Sequence, residues 1–446
     1  MTNTRLCAWY DTHLVGIFSM LSNGDITFRY SNDCTTPISY SLPLDGGWKD
    51  IAPSCFLEGL LPESLNERER MQFALGAETI SPFDLLNSVD TVGGIIFTSD
   101  DRLPNRDEVP LEPLFREDFI RKLTETNHSR PSWTPDDGKT RFSLAGTQGK
   151  FTIARTSEGW FWPTLTVPST HIIKPDPPYR RYSALIETRT MDLAEQCGLD
   201  VPARWQYTLD NGQDFYAVER FDRTIVTNGA VKRLRTEDLT QALGLLPNQK
   251  DKVEVLQILD LLKRVDSTNE TAYKWLEQVA FNIYAGNEDG HAKNYSLFVD
   301  ENPKLTPLYD SLCTSIWDRG HATFSAGMLI DDEPTPALIT ERHWAAEAHR
   351  AGLDEGRVVD SARRIASLIY QNVASVFEDT PQIVHLAAEE VVAENVGSIS
   401  IGLEEYKTDA EETLHAKQKG IRHEVPLGIW NVKTKKNSDN KDSDNR

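Results

Sequence analysis

Apolar residues recur with two different periods along this chain, and the switch between them divides it. Residues 5–45 carry short apolar runs broken at Asp11-Thr12-His13 and Ser22-Asn23-Gly24-Asp25, which predicts strands and turns, and Pro62–Leu75 is a polar helical stretch. Strands dominate again from about 141 to 230, interrupted by a helix over Ser183–Cys197. Helices dominate beyond. Ser267-Thr268-Asn269-Glu270 has capping-box spacing and opens a helix that runs to Ala285. From Ser361 to about Lys417, Ile365, Leu368, Ile369, Val373, Val376 and Phe377 recur at helical intervals. Residues 101–140 are rich in charge and proline and read as a connector, with Pro131–Gly138 its loop. The Lys433–Arg446 tail has no apolar residue and predicts disorder.

The helix ending at Ala285 delivers the chain into Gly286-Asn287-Glu288-Asp289-Gly290-His291-Ala292-Lys293-Asn294. Phosphoryl-transfer sites space an acid, an amide five residues on, and a second acid in this way, and Asp289, Asn294 and Asp310 fit that spacing. Tyr295–Val299 and Lys304–Tyr309 predict a hairpin around Asp300-Glu301-Asn302-Pro303, which would return Asp310 to the end of the ribbon where Asn294 lies. One hard cation could then bind both oxygens. A plain polar turn is the alternative for the Asp-Gly-His stretch.

Arg141–Ile153 places two glycines between β-prone runs, and a glycine loop lets backbone N–H groups approach phosphate oxygens. It matches neither common phosphate-loop pattern, so an ordinary hairpin turn competes. Thr170–Lys174 is a β-branched strand ending in a lysine that could face phosphates. Glu187, in the following helix, sits where an acid could anchor that lysine, and Ala217–Arg223 follows a strand where a lobe hinge would border adenine.

In this order the pieces Ser-Leu-Ala-Gly-Thr-Gln-Gly-Lys, His-Ile-Ile-Lys, Val-Glu-Arg-Phe-Asp-Arg, Asp-Gly-His-Ala-Lys-Asn and Leu-Tyr-Asp resemble the HipA family of bacterial toxin kinases over roughly residues 5–385. Pro82–Leu86 and Val92-Gly93-Gly94 are similar to that family's accessory subdomain. The resemblance implies an α+β, two-lobed protein-kinase-like fold variant. It implies an accessory subdomain at 1–135, a β-rich nucleotide lobe at 136–235, a helical catalytic lobe at 236–425 and a disordered tail at 426–446. It implies ATP and Mg²⁺ as cofactors, phosphorylation of a translation component such as an aminoacyl-tRNA synthetase, and a small helix-turn-helix antitoxin as partner, with DNA reached only through it. By matched position, Asp289 is the proton acceptor and Asn294 and Asp310 are the Mg²⁺ ligands. Ala145, Gly146, Thr147, Gln148, Gly149 and Lys150 cover the phosphates, Lys174 faces them, Glu219, Arg220 and Phe221 border adenine, and His291, Lys293 and Tyr309 lie near the nucleotide. Ser143 matches an autophosphorylated serine whose phosphate would compete with ATP for the loop. Gly149 departs from the family pattern, where many members have Glu or Pro.

Composition narrows the alternatives. A net charge of −21 opposes autonomous nucleic-acid or anionic-membrane binding. Five scattered cysteines without a C-x-x-C pair fit a reducing compartment and no zinc site, and with no signal or membrane-spanning stretch the cytoplasm is expected. Competing functions are a small-molecule or lipid kinase, a catalytically vestigial co-repressor and a metal-carboxylate hydrolase.

Overall fold

The computed structural model describes residues 4–103, 111–127, 148–225, 230–300, 303–317 and 325–399. Three amino-terminal strands, β1 (Arg5–Tyr10), β2 (His13–Met20) and β3 (Ile26–Tyr30), form a meander that β4 (Ile95–Thr98) completes in the antiparallel order β3-β2-β1-β4. Alternation sorts their side chains: Leu6, Ala8, Phe18 and Phe28 enter the main core, while Cys7 and Trp9 meet Ile96 on the other face. Helices α1 (Ala52–Gly59), α2 (Leu65–Leu75) and α3 (Pro82–Leu85) accompany this sheet.

The stretch read as a connector contains helix α4 (Arg116–Asn127). Its charges mask a buried stripe of Phe119, Lys122, Leu123 and Thr126 at helical spacing. Phe119 packs edge-on against Phe151 and Phe215, with ring centroids 5.6 and 5.5 Å away. Those two rings belong to a second sheet, built from β5 (Phe151–Thr156), β6 (Gly159–Phe161), β7 (His171–Pro175), β8 (Arg204–Thr208) and β9 (Asp214–Glu219) in the order β6-β5-β7-β9-β8. The two sheets therefore share one apolar core. Helix α5 (Ser183–Gln196) packs on β8 and β9.

Beyond a hairpin of β10 (Arg223–Ile225) and β11 (Val231–Arg233), strand β12 (Thr236–Asp238) pairs with β13 (Ser296–Phe298), which pairs with β14 (Lys304–Leu305). The expected hairpin is present but short, because Leu308 turns its N–H to the Asp200 carbonyl instead of a strand partner. Helices α6 (Leu239–Ala242), α7 (Val255–Val265), α8 (Glu270–Tyr284), α9 (Glu341–Ala351), α10 (Glu355–Val376) and α11 (Gln382–Asn395) build a second core around α8. The start of α8 departs from the capping-box expectation. Asn269 is left-handed (φ 63°), and Asp266 receives the N–H groups of Thr268 and Thr271. The long carboxy-terminal period also resolves into two helices, since Pro381 cannot continue α10 and opens α11. The tail lies outside the described residues.

A buried ion cluster fastens the first sheet to the end of β9. Asp90 accepts from Arg223 (3.1 Å), Arg233 (2.9 Å) and the Ser169 hydroxyl (2.6 Å). Arg220 grips Asp222 through two bonds of 2.9 and 2.7 Å, and Asp222 also accepts the Gly93 N–H. Gly93 has φ +79°, and a Cβ there would lie 2.3 Å from the Thr236 carbonyl oxygen, so only glycine lets the chains approach. Burial alone would raise the Asp90 carboxyl, but Arg223, Arg233 and Arg220 hold it far below the usual carboxylate range.

Replacing Asp90 by Asn should cost about 3–5 kcal/mol, seen as a lower urea midpoint, because three buried guanidiniums lose their shared anion. Since the folded-state value is depressed, this contribution is present above about pH 4, the unfolded value, and disappears as pH falls. The gap between Asp90→Asn and wild type should therefore close in acid.

Candidate active site

Strand β7 carries Lys174 into the cleft between the second sheet and the helical core, where its ammonium contacts two carboxylates. Glu187 Oε1 lies 2.7 Å away, and Asp310 Oδ1 is the second partner. Helix α5 presents Glu187, and Asp176 fixes the start of that helix by accepting the Ala184 N–H at 2.5 Å. Both Lys174 and Glu187 are buried, with 7% and 2% of their side chains exposed. Burial opposes the Lys174 charge, but Asp310 and Glu187 outweigh it and keep the ammonium protonated well above its ordinary range. Burial lifts the Glu187 carboxyl, with Lys174 opposing. For Asp310 the balance reverses, since Lys174 and Lys150 overcome burial and hold it strongly ionised.

Asp310 adopts a left-handed backbone, φ 55°. Its neighbours explain how that conformation is kept. The Tyr309 hydroxyl bonds to Ser296 Oγ at 2.7 Å and donates to the Lys293 carbonyl at 3.1 Å, while Ser311 donates to Asn282 at 2.7 Å. Asn282, in the last turn of α8, also receives Asn287 Nδ2 at 2.9 Å. This buried amide thus links both acid-bearing segments, and nothing in the sequence pattern singled it out.

The loop after α8 folds on itself. Asn287 Oδ1 accepts the Asp289 N–H (3.1 Å), and Asn294 Nδ2 donates to the Asp289 carbonyl (2.6 Å). Asp289 keeps its carboxylate largely open, 69% exposed, with His291 Nε2 3.3 Å away. Desolvation at the loop raises the Asp289 carboxyl, Asp310 adds to this and His291 opposes it. Buried Lys150 is near Asp310; burial lowers its ammonium while Asp310 opposes.

Other sequence-predicted residues divide. Phe221 stacks 5.0 Å from the Tyr309 ring, and the half-exposed Glu219 carboxylate is 3.7 Å from His171. Two of the expected side chains are engaged elsewhere. Arg220 does not face the cleft, because Asp222, Ser169 and the Thr91 carbonyl consume its guanidinium. Lys293 likewise points away, donating to Asp238 at 2.8 Å and to the Gly59 carbonyl at the end of α1 at 2.9 Å. Gln148 and Gly149 are partly exposed beside Lys150, whereas Ser143, Ala145, Gly146 and Thr147 lie outside the described residues.

Chemically, the Asp310 carboxylate and the Asn294 amide oxygen are hard donors suited to Mg²⁺, which usually takes one or two protein oxygens and fills its shell with phosphate and water. Among the described residues no cluster of three or more His, Cys, Asp or Glu side chains could hold a metal unaided.

The profile of the HipA-like C-terminal domain matches residues 142–377, and that of the HipA N-terminal domain matches residues 6–97. Y4mE of Sinorhizobium fredii is 33% identical over 411 residues, 86% of this chain and 94% of that protein. The serine/threonine-protein kinase toxin HipA of Shewanella oneidensis is 29% identical over 369 residues, 78% of this chain and 82% of the toxin. Among solved structures, the toxin-antitoxin complex of HipA, HipB and operator DNA from Shewanella oneidensis MR-1 contains a chain that superposes with a TM-score of 0.74 at 25% identity, covering 88% of this chain and 96% of that one. The architecture is accordingly α+β and kinase-like.

Lys293→Met should lower stability by about 3–5 kcal/mol in urea titration, because it leaves the buried Asp238 carboxylate without its cation. If Lys293 served a nucleotide instead, stability would stay near wild type and only ATP binding would weaken.

Proposed function

The chain belongs to the HipA family, and from that membership we propose that it is an ATP-dependent serine/threonine protein kinase acting as the toxin of a toxin-antitoxin pair. The observation that carries this reading is the Lys174–Glu187–Asp310 cluster, set opposite a loop that offers an exposed Asp289 carboxylate. A phosphate-facing lysine anchored by a helix glutamate, an acid for the metal and an open base are the parts that γ-phosphoryl transfer needs.

In this mechanism Lys174 neutralises nucleotide phosphate charge, and Asn294 and Asp310 would hold Mg²⁺, which would supply further neutralisation of the phosphates. Asp289 orients the acceptor hydroxyl and takes its proton. The upward shift of the Asp289 carboxyl, caused by desolvation at the loop, favours proton acceptance. Phe221 and Glu219 border adenine, and the loop from Ala145 to Lys150 covers the phosphates. Residues 1–135 act as an accessory subdomain, 136–235 as the nucleotide lobe and 236–425 as the catalytic lobe.

The acceptor is a translation component, such as an aminoacyl-tRNA synthetase, and a small helix-turn-helix protein neutralises the toxin and carries any DNA contact. Autophosphorylation of Ser143 would place about −1.5 to −2 charges where the nucleotide phosphates must lie, switching the enzyme off. The proposed location is the cytoplasm; among the described residues no helix is long and apolar enough to cross a membrane.

Purified protein incubated with labelled ATP, Mg²⁺ and cell lysate should transfer label to serine or threonine of another protein. Label on small hydroxyl compounds would indicate a small-molecule kinase, and failure to bind ATP would indicate a vestigial co-repressor. Asp289→Asn should lower the transfer rate by about 10²- to 10⁴-fold with ATP affinity retained. Asp310→Asn should instead weaken Mg²⁺-dependent ATP binding, measured calorimetrically. The acid limb of the rate profile should lie above about pH 3.9, the ordinary aspartate value, because the raised Asp289 carboxyl must lose its proton to act.

A further inference from the structure

We propose that Tyr179, Arg180, Arg181 and Trp317 form a docking surface for an acidic segment beside the phosphorylated residue of the acceptor protein. The inference rests on the kinase reading and adds a substrate class to it. These residues lie on two short segments that flank the cleft. One is the loop joining β7 to α5, held at one end by Lys174 and at the other by the Asp176 cap on Ala184. Pro177 and Pro178 restrict that loop, and Arg180 closes a turn onto the Pro177 carbonyl at 3.1 Å.

The second segment is the turn after Asp310. Its Thr314 hydroxyl accepts the Glu288 N–H at 3.0 Å and its Ser315 N–H donates to the Gly286 carbonyl at 3.2 Å, so the turn is bonded to the loop that carries Asp289. Trp317 leaves this turn and donates its indole N–H to the Arg181 carbonyl at 3.2 Å. The surface and the proposed base are thereby parts of one hydrogen-bonded unit.

Its chemistry is unusual for this chain. Tyr179 is 72% exposed. The Arg180 guanidinium lies 5.3 Å from the Trp317 ring and that of Arg181 lies 5.1 Å from the Tyr182 ring. Among the described residues neither guanidinium has a carboxylate within ion-pair distance, whereas Arg204, Arg357, Arg363 and Arg364 all do. Stacking holds a guanidinium by its face and leaves its N–H edge available, the edge that grips a carboxylate through two bonds; Arg181 spends one long contact of that edge on the Tyr182 hydroxyl, at 3.4 Å. Two such edges on a protein of net charge −21 form a local cationic spot in a repulsive field. A long polyanion such as nucleic acid would meet that field along its length, whereas a short acidic peptide segment meets only the spot.

The test uses the full chain with ATP and Mg²⁺ on serine and threonine peptides whose flanks are acidic, neutral or basic. Acidic flanks should lower the acceptor KM about tenfold relative to lysine flanks. The double variant Arg180→Glu/Arg181→Glu should invert this order, Arg180→Gln/Arg181→Gln should flatten it, and the KM for ATP should not change in either. An unchanged flank preference in the variants, competition of RNA with acidic peptides, or autophosphorylation without labelling of any peptide would overturn the docking surface. A chain that binds no ATP would overturn the kinase reading, and the docking surface with it.

Discussion

One ammonium between two carboxylates organises the cleft. Lys174 comes from a strand, Glu187 from a helix and Asp310 from the turn after the short three-stranded sheet, so their contact requires all three elements to be in register. In a buried setting a lone ammonium would be neutralised, and a lone carboxylate would be protonated. Lys174 and Asp310 stay ionised because each has the other, while burial lifts the Glu187 carboxyl to about 7.

The amino-terminal part is built into this machinery. The α1 terminus accepts the Lys293 ammonium through the Gly59 carbonyl, and the Tyr40 N–H donates to Glu237 at 2.6 Å, next to the Asp238 that shares Lys293. Burial pushes the Glu237 carboxyl up to about 8, so near neutrality this contact is largely with a neutral acid. The Asp90 cluster makes a separate attachment at the end of β9. Two attachments, one at the end of β9 and one at the loop bearing Asp289, fix these two segments to a common support.

Much of the local chemistry was legible from spacing. The five-residue step from Asp289 to Asn294, the strand ending in Lys174 and the acid in the next helix each belong to one short segment, and such segments carry their own signals. Long-range partners leave no periodic trace. Asn282 reads as an interior helix residue, and Arg220 and Lys293 read as cations beside a nucleotide motif until Asp222 and Asp238 are seen to occupy them. Helix α4 was hidden because charge dominates its composition while its buried stripe is narrow. The box expected at Ser267 failed because Asp266, one residue earlier, offers its two carboxylate oxygens to the Thr268 and Thr271 N–H groups, and the Thr268 hydroxyl takes the Glu270 N–H.

Charge balance constrains how the proposed reaction could proceed. Lys174 is shared by Asp310 and Glu187, and Lys150 lies near Asp310, so both cations of the cleft already have acids beside them and attract a triphosphate less than free ones would. A bare nucleotide would meet Asp310 as a like charge within a poorly solvated cleft, where such repulsion is strong. A divalent cation changes the sign of that encounter, because Asp310 and the phosphates then share it. Metal and nucleotide should consequently enter together. The Asp289 carboxylate, 69% exposed, remains outside this exchange and open to solvent.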